Sequence, residues 1–207
     1  MSGLRDRKKR EVRHRIIISA AELIAENGFD ETTMEDIAAA ADVSVGTVYN
    51  YFGSKGGLLL AGVEDDTDRM ITAGQVVLDD PGRDPVQAIK RLSRIYVDDL
   101  ASWDKRLLRE VIVAGLERVG GSEVTAGLVR QDERLIEQMT VLLAHFDQER
   151  LLAPGIEVID AVMIVFSLIA LQLFLLVSLE DAQIPDLYKQ IDRQIELVFA
   201  GIGRESR

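Results

Sequence analysis

The sequence predicts an all-α protein of about nine helices. Apolar residues recur every three to four positions in most segments, capping residues begin these segments, and glycine or proline separates them. Residues 32–55 also form a pattern of two short helices joined by a tight turn, a helix-turn-helix. We therefore expect a three-helix domain over residues 1–56 and a larger helical domain over residues 57–207.

Composition places the 207-residue chain among globular proteins that can bury a sizeable core. Hydrophobic residues make up 47% and charged residues 29%, and there is no cysteine. The lack of cysteine excludes disulfide bonds, thiol catalysis and thiolate metal sites, and it is compatible with a reducing compartment. We expect no secretory signal, because the charged start is followed by an amphipathic helix and not by an apolar run.

The net charge of −11 is unevenly distributed. Residues 1–15 hold seven basic and two acidic side chains, a net charge of +5, whereas residues 16–55 hold one basic and seven acidic side chains. A basic arm of this kind can run along the phosphates of DNA or into a minor groove. A solvated, disordered tail is an equally good interpretation of its first few residues.

The first helix is predicted over residues 12–27, where apolar side chains share one face. Gly28 ends it as a cap, and Phe29 packs beneath it. His14, near its start, is interpreted as a surface residue and not a metal ligand, because no second ligand is suitably spaced. Thr32 or Thr33 then caps a short alanine-rich helix in a capping box.

The second helix of the pattern covers residues 45–52, with Ser44 as its cap. Val48 and Phe52 lie four residues apart and are predicted to face inward. Exposed threonine, tyrosine and asparagine on the other faces suit phosphate oxygens and base edges in a major groove. An ordinary helical hairpin is the alternative interpretation.

Residues 15–59 narrow this choice. They read RIIISAAELIAENGFDETTMEDIAAAADVSVGTVYNYFGSKGGLL, which resembles the TetR family of bacterial one-component regulators in its motifs and in every gap between them. The resemblance implies a three-helix DNA-binding domain, a larger domain that binds a small molecule, and a dimer formed by the last two helices. We expect no cofactor.

The resemblance also implies roles for individual residues of the helix-turn-helix. Lysine is common in the family at the position of Val45, which here offers a methyl-bearing contact to thymine instead of a charge. Asn50 is the best candidate for a base edge, because its amide can pair with adenine in bidentate fashion. The other expected DNA contacts are two at phosphates, Thr33 and Lys55, four in the groove or at the backbone, Ser44, Thr47, Tyr49 and Tyr51, and a close backbone approach at Gly46.

The fourth helix is predicted from a cap at Ser54 to about Leu78, with an apolar inner stripe. Where the family commonly has Glu-Ala, this chain has Gly56 and Gly57. Because glycine in a helix costs about 0.5 to 1 kcal/mol relative to alanine, we expect a soft joint here.

Turn residues at 79–85 form the clearest linker, and helices are predicted over residues 86–103, 105–119 and 123–150. The segment GLERVGGS at 115–122 is a near miss to a phosphate-binding loop and is discounted, because it lacks the lysine and a preceding strand. His145, Asp147 and Glu149 alternate at a spacing of two, which scatters them around a helix, so no metal site is expected.

Residues 158–179 are almost entirely apolar, long enough for a membrane helix. Acidic residues at both ends and the absence of an aromatic belt favour a helix buried against its own domain and a partner subunit. A last helix begins at Pro185. Two such helices from each of two chains would form a four-helix dimer interface. The residues expected there are Val162, Phe166, Ile169, Leu173, Leu176, Ile191, Ile195 and Val198.

The larger domain shows no catalytic triad, cofactor loop or paired catalytic carboxylates, so an enzyme is not predicted. Its helices suit a small-molecule cavity, and an aromatic content of 5% favours an aliphatic ligand. We therefore predict a cytoplasmic, homodimeric repressor that a small apolar effector releases from a palindromic double-stranded DNA operator. The alternative is a regulator without a small ligand, controlled by a protein partner or by its abundance. Candidate effector contacts are Met70, Gln75, Trp103, Arg109, Ser167, Leu171 and Gln172.

Overall fold

The computed structural model of the protein describes residues 2–117, 122–179 and 181–202, and these contain nine α-helices. The helices are α1 (Ser2–Asn27), α2 (Met34–Ala40), α3 (Val45–Phe52), α4 (Lys55–Asp79), α5 (Pro85–Ala101), α6 (Lys105–Glu117), α7 (Ser122–Gln148), α8 (Val158–Ser178) and α9 (Ile184–Ile202). The all-α prediction is confirmed. The centre of the GLERVGGS segment and the predicted end of the sixth helix lie outside the described residues.

The bounds of α3 agree with the sequence prediction, and the start of α1 differs from it. The helix α3 has the predicted bounds, because Ser44 caps its first turn and Gly53, at φ 72°, ends it. By contrast, α1 begins at Ser2, ten residues before the predicted start. The prediction followed apolar periodicity, which begins at Val12, whereas arginine and lysine are good helix formers without any apolar face.

The chain divides into two compact units. Unit 1 holds Met1–Asp66 and Asp104–Arg130, and unit 2 holds Thr67–Trp103 and Gln131–Arg207. Both α4 and α7 therefore contribute residues to each unit. The predicted division between residues 56 and 57 was drawn between DNA binding on one side and effector binding with dimerisation on the other. It does not coincide with the boundary of the two compact units, and this assignment of functions stays a prediction.

Unit 1 is organised around the apolar face of α1. Ile16 and Ile24 are fully buried there and pack with Ile37 of α2, Val48 of α3 and Leu58 of α4. Helices α2 and α6 both pack on α1, and α3 packs on α2. The alanines of α2 are small enough to allow close approach, and Ala38 and Ala41 are buried in the same cluster.

Unit 2 has its own core, in which α8 packs on α9 and α9 packs on α5. Its largest fully buried side chains include Tyr96, Phe146 and Ile195. At its surface Arg94 lies 4.0 Å from the ring centroid of Tyr188 and 3.2 Å from Asp192, which ties α5 to α9.

Helix α8 is apolar all round, yet only one side of it is buried. It is long and apolar enough to cross a membrane by length and composition, and one third of its most apolar stretch is buried. Seven of its residues are buried, among them Val162, Val165 and Gln172. Exposed apolar side chains lie on the other side, at 43 to 50% exposure: Ile159, Met163, Ile164, Leu171 and Phe174.

Candidate nucleic-acid interface

The turn of the helix-turn-helix is fixed by backbone and side-chain hydrogen bonds. After α2, Asp42 adopts a left-handed φ of 52°, and the Val43 N–H donates to the Ala38 carbonyl at 3.0 Å. The Ser44 hydroxyl then accepts from the Thr47 N–H at 3.1 Å and contacts the Thr47 hydroxyl at 2.8 Å. These bonds fix the start of α3. The Ser44 and Thr47 hydroxyls are therefore already engaged in the helix cap.

Two exposed polar side chains of α3, Tyr49 and Asn50, make no hydrogen bond within the part of the chain that the structure describes. Val48 is fully buried, whereas Tyr49 is 48% exposed and Asn50 is exposed. Neither the Asn50 amide nor the Tyr49 hydroxyl has a hydrogen-bond partner within the described residues. At Gly46, an added Cβ would meet only the Ser44 hydroxyl, at 3.9 Å, so the fold itself does not require glycine there. This face is therefore available to an external partner.

Lys55 was expected at a phosphate, and its ammonium is instead bound to the protein backbone. Its Nζ donates to the carbonyl oxygens of Phe29, of Asp30 at 3.1 Å and of Thr32 at 2.8 Å, and it lies 4.5 Å from the centroid of the Phe29 ring. Three carbonyls occupy the three protons that an ammonium group has. Lys55 thus fixes the loop between α1 and α2 against the start of α4.

Thr33, the other expected phosphate contact, is likewise engaged inside the protein. Its backbone N–H and its hydroxyl donate to the Asp36 carboxylate, at 3.2 and 2.5 Å, while its hydroxyl accepts from the Asp36 N–H at 3.1 Å. The hydroxyl bond first and the backbone bond second lower the pKa of Asp36 from its ordinary value. An ionised carboxylate therefore accompanies Thr33 at the start of α2.

Tyr51 lies between α3 and the basic arm. Its hydroxyl donates to the backbone oxygen of Lys9 at 3.3 Å, and its ring centroid lies 5.9 Å from that of Phe52. Arg13 also approaches Phe52, at 5.9 Å from the ring centroid, and pairs with Asp65 of α4. The sequence did not reveal this docking of α1 on α3. The pattern of polar residues in α1 and α3 does not show which side chains of the two helices meet.

Sequence reasoning missed one residue that holds the interface in place, Glu110, and did not see the packing role of another, Gly57. Glu110 of α6 accepts from the Phe29 N–H at 3.2 Å, so the loop after α1 is bound by α6 as well as by Lys55. At Gly57, an added Cβ would overlap the backbone oxygen of Phe52, which gives this glycine a packing reason. The expected softness of the joint stays a prediction.

The predicted effector contacts do not form one group. Met70 is buried, but Gln75 is exposed and donates to Asp79 at 2.8 Å. Ser167 and Leu171 are exposed on α8. Trp103 is half-buried, Arg109 is exposed in unit 1, and Gln172 is buried with its amide nitrogen 3.3 Å from the Gln194 oxygen.

A different polar group lies inside unit 2. The Tyr96 hydroxyl donates to Gln138 Oε1 at 2.6 Å, and Gln138 Nε2 donates to the Ile71 carbonyl at 2.8 Å. The Ser93 hydroxyl, one helical turn before Tyr96, is buried without a hydrogen-bond partner in the described part of the chain. The sequence could have indicated this polar group, because Ser93 and Tyr96 lie three residues apart on the otherwise apolar face of α5.

The residues predicted for the dimer interface belong mostly to the core of unit 2. Val162, Ile169, Leu173, Leu176, Ile191 and Ile195 are buried within the chain itself, and Phe166 and Val198 are half-buried. A helix that is apolar all round does not tell from sequence which face turns inward. In this structure the buried six offer no surface to a partner, and the exposed apolar side chains of α8 lie on another face.

No cluster of three metal-ligating side chains occurs among residues 2–117, 122–179 and 181–202. His14 and His145 are both exposed.

The sequence of this chain is similar to known proteins chiefly in the region of the helix-turn-helix. The sequence pattern of the family described as bacterial regulatory proteins, tetR family, matches residues 16–61. The transcriptional repressor KstR of Rhodococcus jostii is 33% identical over 82 residues, 40% of this chain and 37% of that protein. The transcriptional regulator TcmR of Streptomyces glaucescens is 29% identical over 143 residues, 69% of this chain and 62% of that protein. The chain thus matches 37% and 62% of the length of these two relatives.

The likeness in fold extends over nearly the whole chain. The FadR repressor of Thermus thermophilus, solved in complex with lauroyl-CoA, superposes with a TM-score of 0.68 at 25% sequence identity. The match covers 94% of this chain and 97% of that one.

Proposed function

We propose that this chain, a member of the TetR family of bacterial regulatory proteins, represses transcription as a homodimer on a palindromic operator. Members of this family are DNA-binding transcriptional regulators and not enzymes. We further propose that a small apolar effector releases it from that operator. The observation that carries the proposal is the outer face of α3, where the exposed Asn50 amide and Tyr49 hydroxyl have no partner within the described residues.

The chemistry of α3 supports base reading by Asn50. An asparagine amide offers one donor and one acceptor side by side, which matches N7 and N6 of adenine in the major groove. Tyr49 and the backbone at Gly46 are placed one and four residues before it on the same short helix, and they suit phosphate and sugar contacts. One helix of eight residues reads few base pairs, so two copies related by a two-fold axis give a specific site.

The apolar face of α8 supports the homodimer. Met163, Leu171 and Phe174 recur at spacings of eight and three residues, which puts them on one face of the helix. They are 43, 50 and 44% exposed, and Leu197 of α9 is 65% exposed. Several large apolar side chains exposed on one helix face are typical of an interaction site. We propose that this face, and not the buried set predicted from sequence, meets the partner subunit in a cytoplasmic dimer without a membrane.

The effector is proposed to be an acyl compound. T. thermophilus FadR was solved with lauroyl-CoA, and the buried residues of unit 2 here are mostly aliphatic and aromatic, with few polar groups among them. Tyr96, Gln138 and Ser93 would supply the polar contacts in such an interior. The alternative, a regulator without a small ligand, stays open to the second experiment below.

The first experiment selects the sequence that the full-length protein binds from random duplex DNA. We expect enrichment of two inverted half-sites whose centres lie about one helical turn or a multiple of it apart. No enrichment would contradict specific DNA reading, and enrichment of a single unpaired half-site would contradict the homodimer.

The second experiment measures thermal unfolding and operator binding with lauroyl-CoA, laurate and coenzyme A. A ligand at 100 times its dissociation constant stabilises a protein by about 2.7 kcal/mol, so binding of lauroyl-CoA is expected to raise the melting temperature. It is also expected to release the operator, because an effector must prefer the state that does not bind DNA. No shift with any of the three would favour the alternative, and stabilisation without release would contradict control by this compound.

A further inference from the structure

We infer that the amino-terminal third of α1 is a fixed phosphate-binding surface for duplex DNA, held beside α3 by the Tyr51 hydroxyl. In this arrangement Tyr51 is a positioning residue for the arm and not itself a reader of bases. The inference rests on the proposed function for its partner, duplex DNA, but the docking of the arm can be tested without DNA.

The first step is that the basic arm continues a folded helix. Residues 2–11 belong to α1 together with Ile16 and Ile24, which are buried in the core of unit 1. A helix rises about 1.5 Å per residue, so Arg5 lies roughly 16 Å along the axis from Ile16. Its charges are therefore presented in a defined place and not on a free tail.

The second step is the contact that fixes this place. The Tyr51 hydroxyl donates to the Lys9 carbonyl at 3.3 Å, and Arg13 pairs with Asp65 and lies over the Phe52 ring. These contacts join the arm to α3 and α4 within unit 1. Because the Tyr51 hydroxyl has one proton and gives it to this carbonyl, it has none left to donate to a phosphate.

The third step is the charge that remains after internal pairing. Arg7 pairs with Glu11 at 3.3 Å, and Arg13 pairs with Asp65. Five other basic side chains of the arm are exposed and have no ion-pair partner within the described residues: Arg5, Lys8, Lys9, Arg10 and Arg15. The arm thus offers several cations where the helix-turn-helix, with Lys55 bound to carbonyls, offers none.

The fourth step is the direction in which the charges face. Lys9 precedes Ile16 by seven residues, two helical turns, and Arg5 precedes Lys9 by four. Residues at these spacings share a helix face, so Arg5 and Lys9 continue the face that carries Ile16 onto α2 and α3. They therefore stand on the same side as α3. Arginine and lysine at phosphates add affinity and register without sequence preference.

The docking itself is tested by hydrogen exchange of the full-length protein without DNA, comparing the wild type with Tyr51→Phe. This substitution removes the hydroxyl and keeps the ring beside Phe52. We expect faster exchange at residues 6–11 and unchanged exchange at Ile16 to Ile24, which lie in the core. Unchanged exchange at residues 6–11 would overturn the docking role.

The DNA contact is tested by a double-mutant cycle that combines Tyr51→Phe with the pair Arg5→Gln and Lys9→Gln. Affinity for the selected operator and for random DNA is measured between 50 and 200 mM salt, roughly the range in which phosphate contacts dominate. Loss of two phosphate contacts from each of two subunits is expected to lower the salt slope by about 3 to 4 on both DNAs. Tyr51→Phe alone is expected to weaken binding about two- to tenfold, but to add little once the arm charges are gone.

Two outcomes of the cycle would overturn the inference. If the effects of Tyr51→Phe and of the arm substitutions multiply, Tyr51 acts on DNA independently of the arm. If the arm substitutions leave the salt slope unchanged, the arm binds no phosphates. Arg83→Gln, which removes an exposed arginine of unit 2, is the matched control for Arg5→Gln and should leave the slope unchanged. Failure of the wild type to select any sequence would contradict the proposed function, while hydrogen exchange would still decide whether the arm is docked.

Discussion

The Lys55 ammonium donates to the carbonyl oxygen of Thr32 at 2.8 Å. Lys55 was expected to contact a DNA phosphate, and in the structure it binds the backbone of the loop between α1 and α2 instead. The same ammonium binds the Phe29 carbonyl, and the Phe29 N–H binds Glu110 of α6. The loop between α1 and α2 is therefore held from two sides, by α4 and by α6.

Replacing Lys55 by methionine should destabilise unit 1, because three carbonyls lose their donor. Hydrogen bonds to charged groups contribute about 1.5 to 3 kcal/mol, and we expect the free energy of unfolding to fall by about that amount. Denaturant unfolding followed by circular dichroism measures it. The control is Lys8→Met, an exposed residue without an internal partner in the described chain, whose effect should stay within about 0.5 kcal/mol. Unchanged stability with weaker binding to all DNA would restore the phosphate role for Lys55.

Two glycines of α4 should respond in opposite ways to alanine. A Cβ at Gly57 would overlap the Phe52 carbonyl oxygen, so Gly57→Ala must displace α4 from α3 and is expected to cost about 1 to 3 kcal/mol. A Cβ at Gly62 would meet only Ile17 Cγ2, at the ordinary distance of 3.5 Å. Gly62→Ala is therefore expected to stabilise the protein by about 0.5 to 1 kcal/mol. Thermal unfolding of both variants checks this, and stabilisation by Gly57→Ala would contradict the close approach.

Asn50→Ala should relax the preference for one base pair in each half-site. Loss of a bidentate contact is expected to reduce discrimination there by about 1 to 3 kcal/mol, because alanine cannot pair with a base edge. Competition between the selected operator and its single-base variants measures the change. Arg5→Gln serves as the contrast, since a lost phosphate contact weakens binding to every sequence alike. Equal losses on operator and random DNA for Asn50→Ala would contradict base reading.

Phe174→Glu should convert the protein to a monomer. The side chain is 44% exposed on the apolar face of α8, where a carboxylate facing its symmetry mate would be both desolvated and repelled. Light scattering at micromolar concentration measures the mass. Val76→Glu is the matched control, because Val76 is an apolar residue that is 65% exposed on α4 and belongs to neither α8 nor α9, and its variant should remain dimeric. A monomeric wild type, or a dimeric Phe174→Glu variant, would contradict the proposed interface.

The sequence allowed prediction wherever a local signal determines the backbone. Ser44 and Gly53 bound α3 because a hydroxyl satisfies the first free N–H groups and glycine tolerates the left-handed turn that ends the helix. The inward position of Val48 followed from its spacing, and it is fully buried. Both features depend on residues within a few positions of each other.

Long-range partners could not be predicted in the same way. The charge of Lys55 is the same whether it meets a phosphate or three carbonyls, and only the fold brings residue 55 to residues 29–32. Because α8 is apolar on every side, its sequence likewise did not show which face is buried against the rest of unit 2. In both cases the residue type was informative about the kind of interaction, while the identity of the partner depended on tertiary structure.

One buried polar contact bears on how α8 is oriented. Gln172, in the middle of an apolar helix, lies with its amide nitrogen 3.3 Å from the Gln194 oxygen of α9. Rotating or sliding α8 by one residue would keep a hydrocarbon surface against α9, at little cost in apolar contact, but would strand this amide in the core. The hydrogen bond between Gln172 and Gln194 therefore favours the rotation of α8 in which Met163, Leu171 and Phe174 are exposed. The polar contact thus gives one orientation an advantage in a helix whose surface is apolar on every side.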